Sequence, residues 1–171
     1  GLGGSLFDET GTPSLYSNGS AESLEWPMDH AKELGVLATC TQIESMKSQF
    51  IQSEAAMIVD GPWNWATYEA SRLDIGQELL PTVEETGLRA SPLVTYKGWS
   101  VTKQSTEKVA ATDLALHLSS AEVQRAFALD TYTMPTSLEL FNDPEIANDE
   151  VISGFLEQAQ QGTPAPTTRG M

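Results

Sequence analysis

The sequence is poor in cysteine, histidine and positive charge, and each shortage removes a class of function. One cysteine, Cys40, stands in 171 residues, which excludes an internal disulfide and a thiol-based metal site. A lone cysteine reads as a small buried apolar residue. The two histidines, His30 and His117, both fall inside predicted helices, where a surface or satisfied imidazole is the ordinary reading. Nine Lys and Arg stand against 24 Asp and Glu, for a net charge of −15. That sign repels phosphate backbones and anionic lipid, and no basic cluster offsets it, so nucleic acid is not an expected partner. The acidity reads as solubility, with an acid-surfaced source organism as the sharper alternative. Long apolar runs are missing too: none approaches the roughly 20 residues that cross a bilayer. No basic, hydrophobic leader opens at Gly1, so an export signal would have been removed or lie outside this sequence. No GxSxG, HExxH, GxxxxGK[ST] or GxGxxG occurs. No cofactor and no catalytic residue is expected.

What remains, with 40% of residues apolar, is enough for one good core or two small ones sharing a hinge. The opening GGSLFDETGTPSLYSNGS reads as irregular chain with one hairpin. Ser20 caps a predicted helix over 20–34 with Leu24, Met28, Ala31 and Leu34 on one stripe. Pro27 inside it means either a later start or a kink. Thr41 and Glu44 make a capping box for a helix reaching Gln52. AAMIVD reads as a buried strand, Pro62 as the first turn of a helix over 62–73, and IGQELLP as a second strand. TVEETGLRAS is a polar loop, and PLVTYKGWSVTK a strand or strand pair broken near Gly98. Helices are expected over 107–118 and 121–129, the second boxed by Ser119 and Glu122, and one more from Asp143-Pro144 to about Gln161. Strands alternating with helices argue for an α/β fold.

The chemistry lies in the aromatics. Trp63 and Trp65 follow Gly61-Pro62 directly after the AAMIVD run. An indole covers the C–H face of a sugar ring while carboxylates and amides bond its hydroxyls. Trp63 stands at a strand-to-helix junction, where open α/β sheets place ligands. On a helix the two rings point about 200° apart, so one faces ligand and the other the core. Asp60 reads as a helix cap. A paired-carboxylate glycosidase stays open, because 24 acidic residues offer too many pairs to test.

These stretches resemble a known family. FIQSEAAMIVDGPWNW, the Leu-Pro strand of ELLPTVEETGLRASPLVTYKGWSVTK, the two helices after it, and the closing Asp-Pro helix with its G-x-P-x-P stretch are similar, nearly end to end, to the extracellular solute-binding proteins of sugar ABC transporters, of the maltose/maltodextrin group. The resemblance implies a periplasmic-binding-protein-like (type II) lobe, a mixed sheet flanked by helices, incomplete relative to the two-lobe fold. Residues 1–90 and 143–171 would belong to the second lobe, and 91–142 would cross to the first. The apolar face of that crossing segment (Val109, Leu114, Leu118, Phe127) would then need a substitute cover, such as self-association of the fragment.

The implied function is binding, not catalysis. A maltooligosaccharide would be captured outside the cytoplasmic membrane, in the periplasm or by a cell-surface lipoprotein, and the full-length parent would pass it to a membrane permease. The candidate binding residues are Trp63, which stacks on sugar in the family; Gly98 and Trp99 on the glycine-bearing strand; and Trp65, in a structural role. No metal ligand is expected. The alternatives are a carbohydrate-active enzyme with paired carboxylates, or a folding fragment that binds nothing.

Overall fold

The computed structural model describes residues 1–8, 10, 12–16, 19–29, 33–35 and 42–165. His30, Ala31, Cys40 and Thr41 lie outside the described residues. The chain divides into two units: Gly1–Ile58 with Leu80–Val94 and Gln161–Met171, and Val59–Leu79 with Thr95–Gln160.

In the first unit, Phe7 and Pro13 form an antiparallel bridge. Its turn is held by Asp8 Oδ1, which accepts the N–H groups of Thr10 and Thr12, each at 2.9 Å, a standard service of aspartate in turns. Helix α1, Ser20–Asp29, starts at Ser20 rather than at Pro27, which lies inside it. Glu22 Oε2 accepts the Gly19 N–H at 2.9 Å, tying down the helix entry. Proline gives no N–H to the turn before it, yet the helix runs through it to Asp29, the last described residue there. The predicted stripe is not a core: no residue of α1 is buried, and Leu24 and Met28 are exposed. Helix α2, Ile43–Ile51, has Gln42 at its N-cap with no side-chain bond. Glu44, expected to reach back to the cap, pairs with Lys47 Nζ at 2.7 Å instead.

The polar stretch read as a loop is a hairpin. Strands β1 (Thr82–Val83) and β2 (Leu88–Arg89) pair antiparallel around a turn that Gly87 completes at φ 68°, where glycine avoids a Cβ clash. Strand β3, Leu93–Val94, pairs parallel with β4, Thr163–Pro164, and the Ser91 hydroxyl donates to the Gln161 carbonyl at 2.9 Å. Two expected strands are absent. AAMIVD falls in no strand, and Met57 and Val59 stand exposed at 87% and 74% of full accessibility. An apolar run becomes a buried strand only when a neighbour supplies the ladder, and none does so here among the described residues. Residues 75–81 likewise fall in no strand; near their end the Pro81 carbonyl accepts the Ala90 N–H at 3.1 Å. Gln77 instead donates from Nε2 to the Glu150 carbonyl at 3.3 Å.

The second unit is helical. A 3-10 turn at Pro62–Asn64 leads into α3, Trp65–Ala70. Then come α4 (Lys108–Leu118), α5 (Ala121–Thr131), a 3-10 turn at Leu138–Asn142, α6 (Pro144–Ala147) and α7 (Glu150–Gln160). Its core is Ala128, Leu140, Ile146 and Ile152, with Ala121, Leu129, Tyr132, Met134 and Leu156 packed around them. Ser120, not Ser119, caps α5 by accepting the Val123 N–H; Ser119 Oγ donates back to Ala115 at 2.8 Å. The single closing helix predicted from Asp143 is two. Asp143 Oδ1 caps α6 through the Glu145 and Ile146 N–H groups. Asp149 Oδ1 accepts the Val151 and Ile152 N–H groups, each at 2.9 Å, and starts the chain again as α7.

Asp143 also accepts from Arg125 Nε at 2.7 Å, and Arg125 Nη2 reaches Glu145 at 2.8 Å. The Arg125 hydrogen bond, helped by the backbone N–H groups of Glu145 and Ile146, holds the Asp143 carboxyl below its ordinary 3.8 against the opposing effect of burial. A carboxylate depressed in the folded state stabilises it above the unfolded pKa, and that contribution fades as pH falls through the folded value. Urea titrations of Asp143→Asn are therefore expected to show lower stability than the parent at neutral pH and a shallower loss below about pH 4. Parallel pH profiles for the two proteins would show that this pair contributes nothing.

Candidate functional site

The segment that carries Trp63 is organised by one carboxylate. Asp60 Oδ1 accepts the Gly61 N–H at 2.8 Å. Asp60 Oδ2 accepts Asn64 Nδ2 at 2.9 Å and the Tyr68 hydroxyl. Asp60 thus closes the 3-10 turn through its side chain and anchors it to Tyr68, the buried residue of α3. Pro62 sits at the first position of that turn, where a missing N–H costs nothing.

The two tryptophans diverge. Trp63 leaves 68% of its surface open, and its six-membered ring lies across Gly61: a methyl group there would sit 2.1 Å from Cζ3 and 2.2 Å from Cη2. Trp65, partly buried, meets Tyr132 edge-on at 6.4 Å and Phe155 at 6.1 Å between ring centroids. These are the T-shaped geometries that aromatic quadrupoles favour. The Tyr132 hydroxyl donates to Glu69 at 3.1 and 3.3 Å. Burial first, then the bond to Glu69, raises its pKa above the ordinary 10.0, so the phenol stays neutral.

Trp99 is 57% exposed and, with Val101, Thr102, Ser105, Leu114 and Leu118, lines an open groove against α4. Gly98 has open space around it. The structure therefore gathers Trp65 with Tyr132 and Phe155, and Trp63 with Gly61. It places Gly98 and Trp99 outside any helix or strand. Sequence reasoning missed Gly61 as a seat for the indole, and Asn64 and Tyr68 as partners of Asp60. The four-residue step from Asp60 to Asn64 was a usable signal; nothing local marks the reach to Tyr132 or Phe155. Among the described residues no group of three or more His, Cys, Asp or Glu could hold a metal, and no helix is long and apolar enough to cross a membrane.

The chain belongs to the bacterial extracellular solute-binding protein family, whose model matches residues 3–153. That is a family of binding proteins rather than enzymes, and the enzyme alternative gives way to it. Among its relatives is the maltodextrin-binding protein MdxE of Bacillus subtilis, 25% identical over 97% of this chain and 41% of that protein. The maltotriose-binding protein of Pyrococcus abyssi is 26% identical over 99% of this chain and 38% of that protein. The maltose/maltodextrin-binding domain from Bdellovibrio bacteriovorus, solved with maltotriose, has a similar fold with a TM-score of 0.88 at 26% identity. That match covers 98% of this chain and 45% of the other. The fold is thus periplasmic-binding-protein-like, and the chain spans about two-fifths of the length of the curated relatives it matches.

Proposed function

We propose that this chain carries part of the oligosaccharide site of a transport receptor working outside the cytoplasmic membrane, with a maltooligosaccharide as ligand. The observation that carries the reading is the exposed Trp63 indole, held open at the head of α3. A glucosyl ring laid on it would desolvate its apolar face, while hydroxyls bond neighbouring polar groups. Trp99 and Gly98 supply a second contact surface. Trp65 supports the element from its other side through Tyr132 and Phe155. In the parent receptor the ligand bridges two lobes and favours the closed state by its differential contacts, for presentation to a membrane ABC permease.

The lobe assignment belongs to the same reading: residues 1–90 and 143–171 fall in one lobe, and 91–142 seats against the other. Helix α4 supports it. Seven of its eleven residues are apolar and none is buried, with Val109 at 78% of full accessibility. A helix apolar nearly all round is built to be covered, and in the isolated chain that face is open to self-association.

Tryptophan emission of the 171-residue chain is expected to change saturably with maltotriose and not with cellotriose, and the sugar to be recovered intact. An equal response to both sugars, shortened sugar, or silence up to the solubility limit of maltotriose would overturn the reading.

A further inference from the structure

Trp63 can work as a stacking surface only if its ring is fixed, and the feature that fixes it is not a side chain. Gly61 has φ −108° and ψ 172°, an extended conformation open to any residue. The backbone therefore gives no reason for glycine there. Space does: the position of a Gly61 Cβ is occupied by the Trp63 ring, with Cζ3 at 2.1 Å, Cη2 at 2.2 Å and Cε3 at 2.6 Å. Indole carbons cannot yield to a methyl group at such separations without the whole ring turning away. The peptide of Gly61 is itself clamped, since its N–H is bound by Asp60 Oδ1 while Oδ2 of the same carboxylate holds Asn64 and Tyr68.

We infer that Asp60 and Gly61 form a mount for the Trp63 indole: the ring rests with one side on the bare Gly61 backbone and keeps the other for ligand. This rests on the stacking role proposed above for Trp63, and it names Gly61 as a positioning residue that acts through Trp63 rather than on the sugar. A flat platform held by backbone loses no rotamer freedom when a sugar arrives, which is the advantage of preorganisation.

The test is a cycle of Gly61→Ala and Trp63→Ala, alone and together, in the 171-residue chain. It is read by near-UV circular dichroism without sugar, thermal midpoint, and maltotriose affinity. The dichroism difference between parent and Trp63→Ala isolates the Trp63 signal. Gly61→Ala is expected to alter that signal, to lower the thermal midpoint, and to weaken maltotriose by up to about tenfold. Adding Trp63→Ala should restore the midpoint lost in Gly61→Ala, because the clash leaves with the ring. In the Trp63→Ala background Gly61→Ala should have no further effect on affinity. An unaltered Trp63 signal in Gly61→Ala, or a midpoint that Trp63→Ala does not restore, would overturn the mount. Affinity unchanged in Trp63→Ala would sink the stacking role instead, and the sugar-free signal and the midpoint would still decide the mount.

Discussion

Ile152→Ala is expected to destabilise the second unit by about 2–5 kcal/mol, the range for removing a large aliphatic side chain from a packed core. Ile152 and Ile146 are both fully buried, the largest side chains in that condition among the described residues. They meet Ala128 and Leu140 in a cluster whose outer wall is Ala121, Leu129, Tyr132, Met134 and Leu156. The cost should fall at the high end. Ile152 is in the first turn of α7, whose start Asp149 fixes through the Val151 and Ile152 N–H groups, so the backbone there is poorly placed to collapse into the cavity. Leu116→Ala on α4, where the side chain is exposed, is the matched control and should stay within about 0.5 kcal/mol. Urea denaturation followed by far-UV dichroism checks both. Equal losses at the two positions would mean that the cluster around Ile146 and Ile152 is not the core.

The second large effect separates the two tryptophans. Trp65→Ala should cost about 3 kcal/mol, the low end for an aromatic truncation, because the ring is only partly buried. Part of that loss is its two edge-to-face contacts with Tyr132 and Phe155, each worth about 0.5–1.5 kcal/mol beyond the area covered. Trp63→Ala removes an exposed ring and should shift stability by about 0.5 kcal/mol or less, while removing the sugar response. The pair therefore predicts a crossed pattern: one substitution weakens folding, the other weakens binding. Denaturation and maltotriose titration of the same two variants measure it. A Trp63→Ala variant as unstable as Trp65→Ala would show that its indole is structural.

What could be read without the structure follows the range of the interactions. Helices α4 and α5 were legible because propensity and caps are local, and even there the cap slipped by one residue, from Ser119 to Ser120. The divergence of Trp63 and Trp65 was expected for a single α-helix; it is found instead between a 3-10 turn that holds Trp63 and the first residue of α3. The failures lie where the outcome depends on something distant. AAMIVD has the composition of a buried strand, but a strand needs a neighbour, and Met57 and Val59 are left in the open. The hairpin at Thr82–Val83 and Leu88–Arg89 was hidden in polar residues, since a two-residue strand leaves no alternation to count. The break between α6 and α7 turned on Asp149, one acidic residue among many. At the site, Asp60 was legible as a cap; its bond to Tyr68, eight residues on, was not.

The parallel pair β3–β4 carries a consequence for how the molecule comes into being. Ser91 bonds to Thr163, seventy-two residues later, and between them runs the larger part of the second unit, Thr95–Gln160. On a ribosome the first unit waits with one edge unpaired until α4 to α7 have all emerged. Contacts that close long stretches of chain are the slow ones to form. The second unit, whose core lies within residues 121–156, closes shorter stretches of chain and is set to form before the β3–β4 pair.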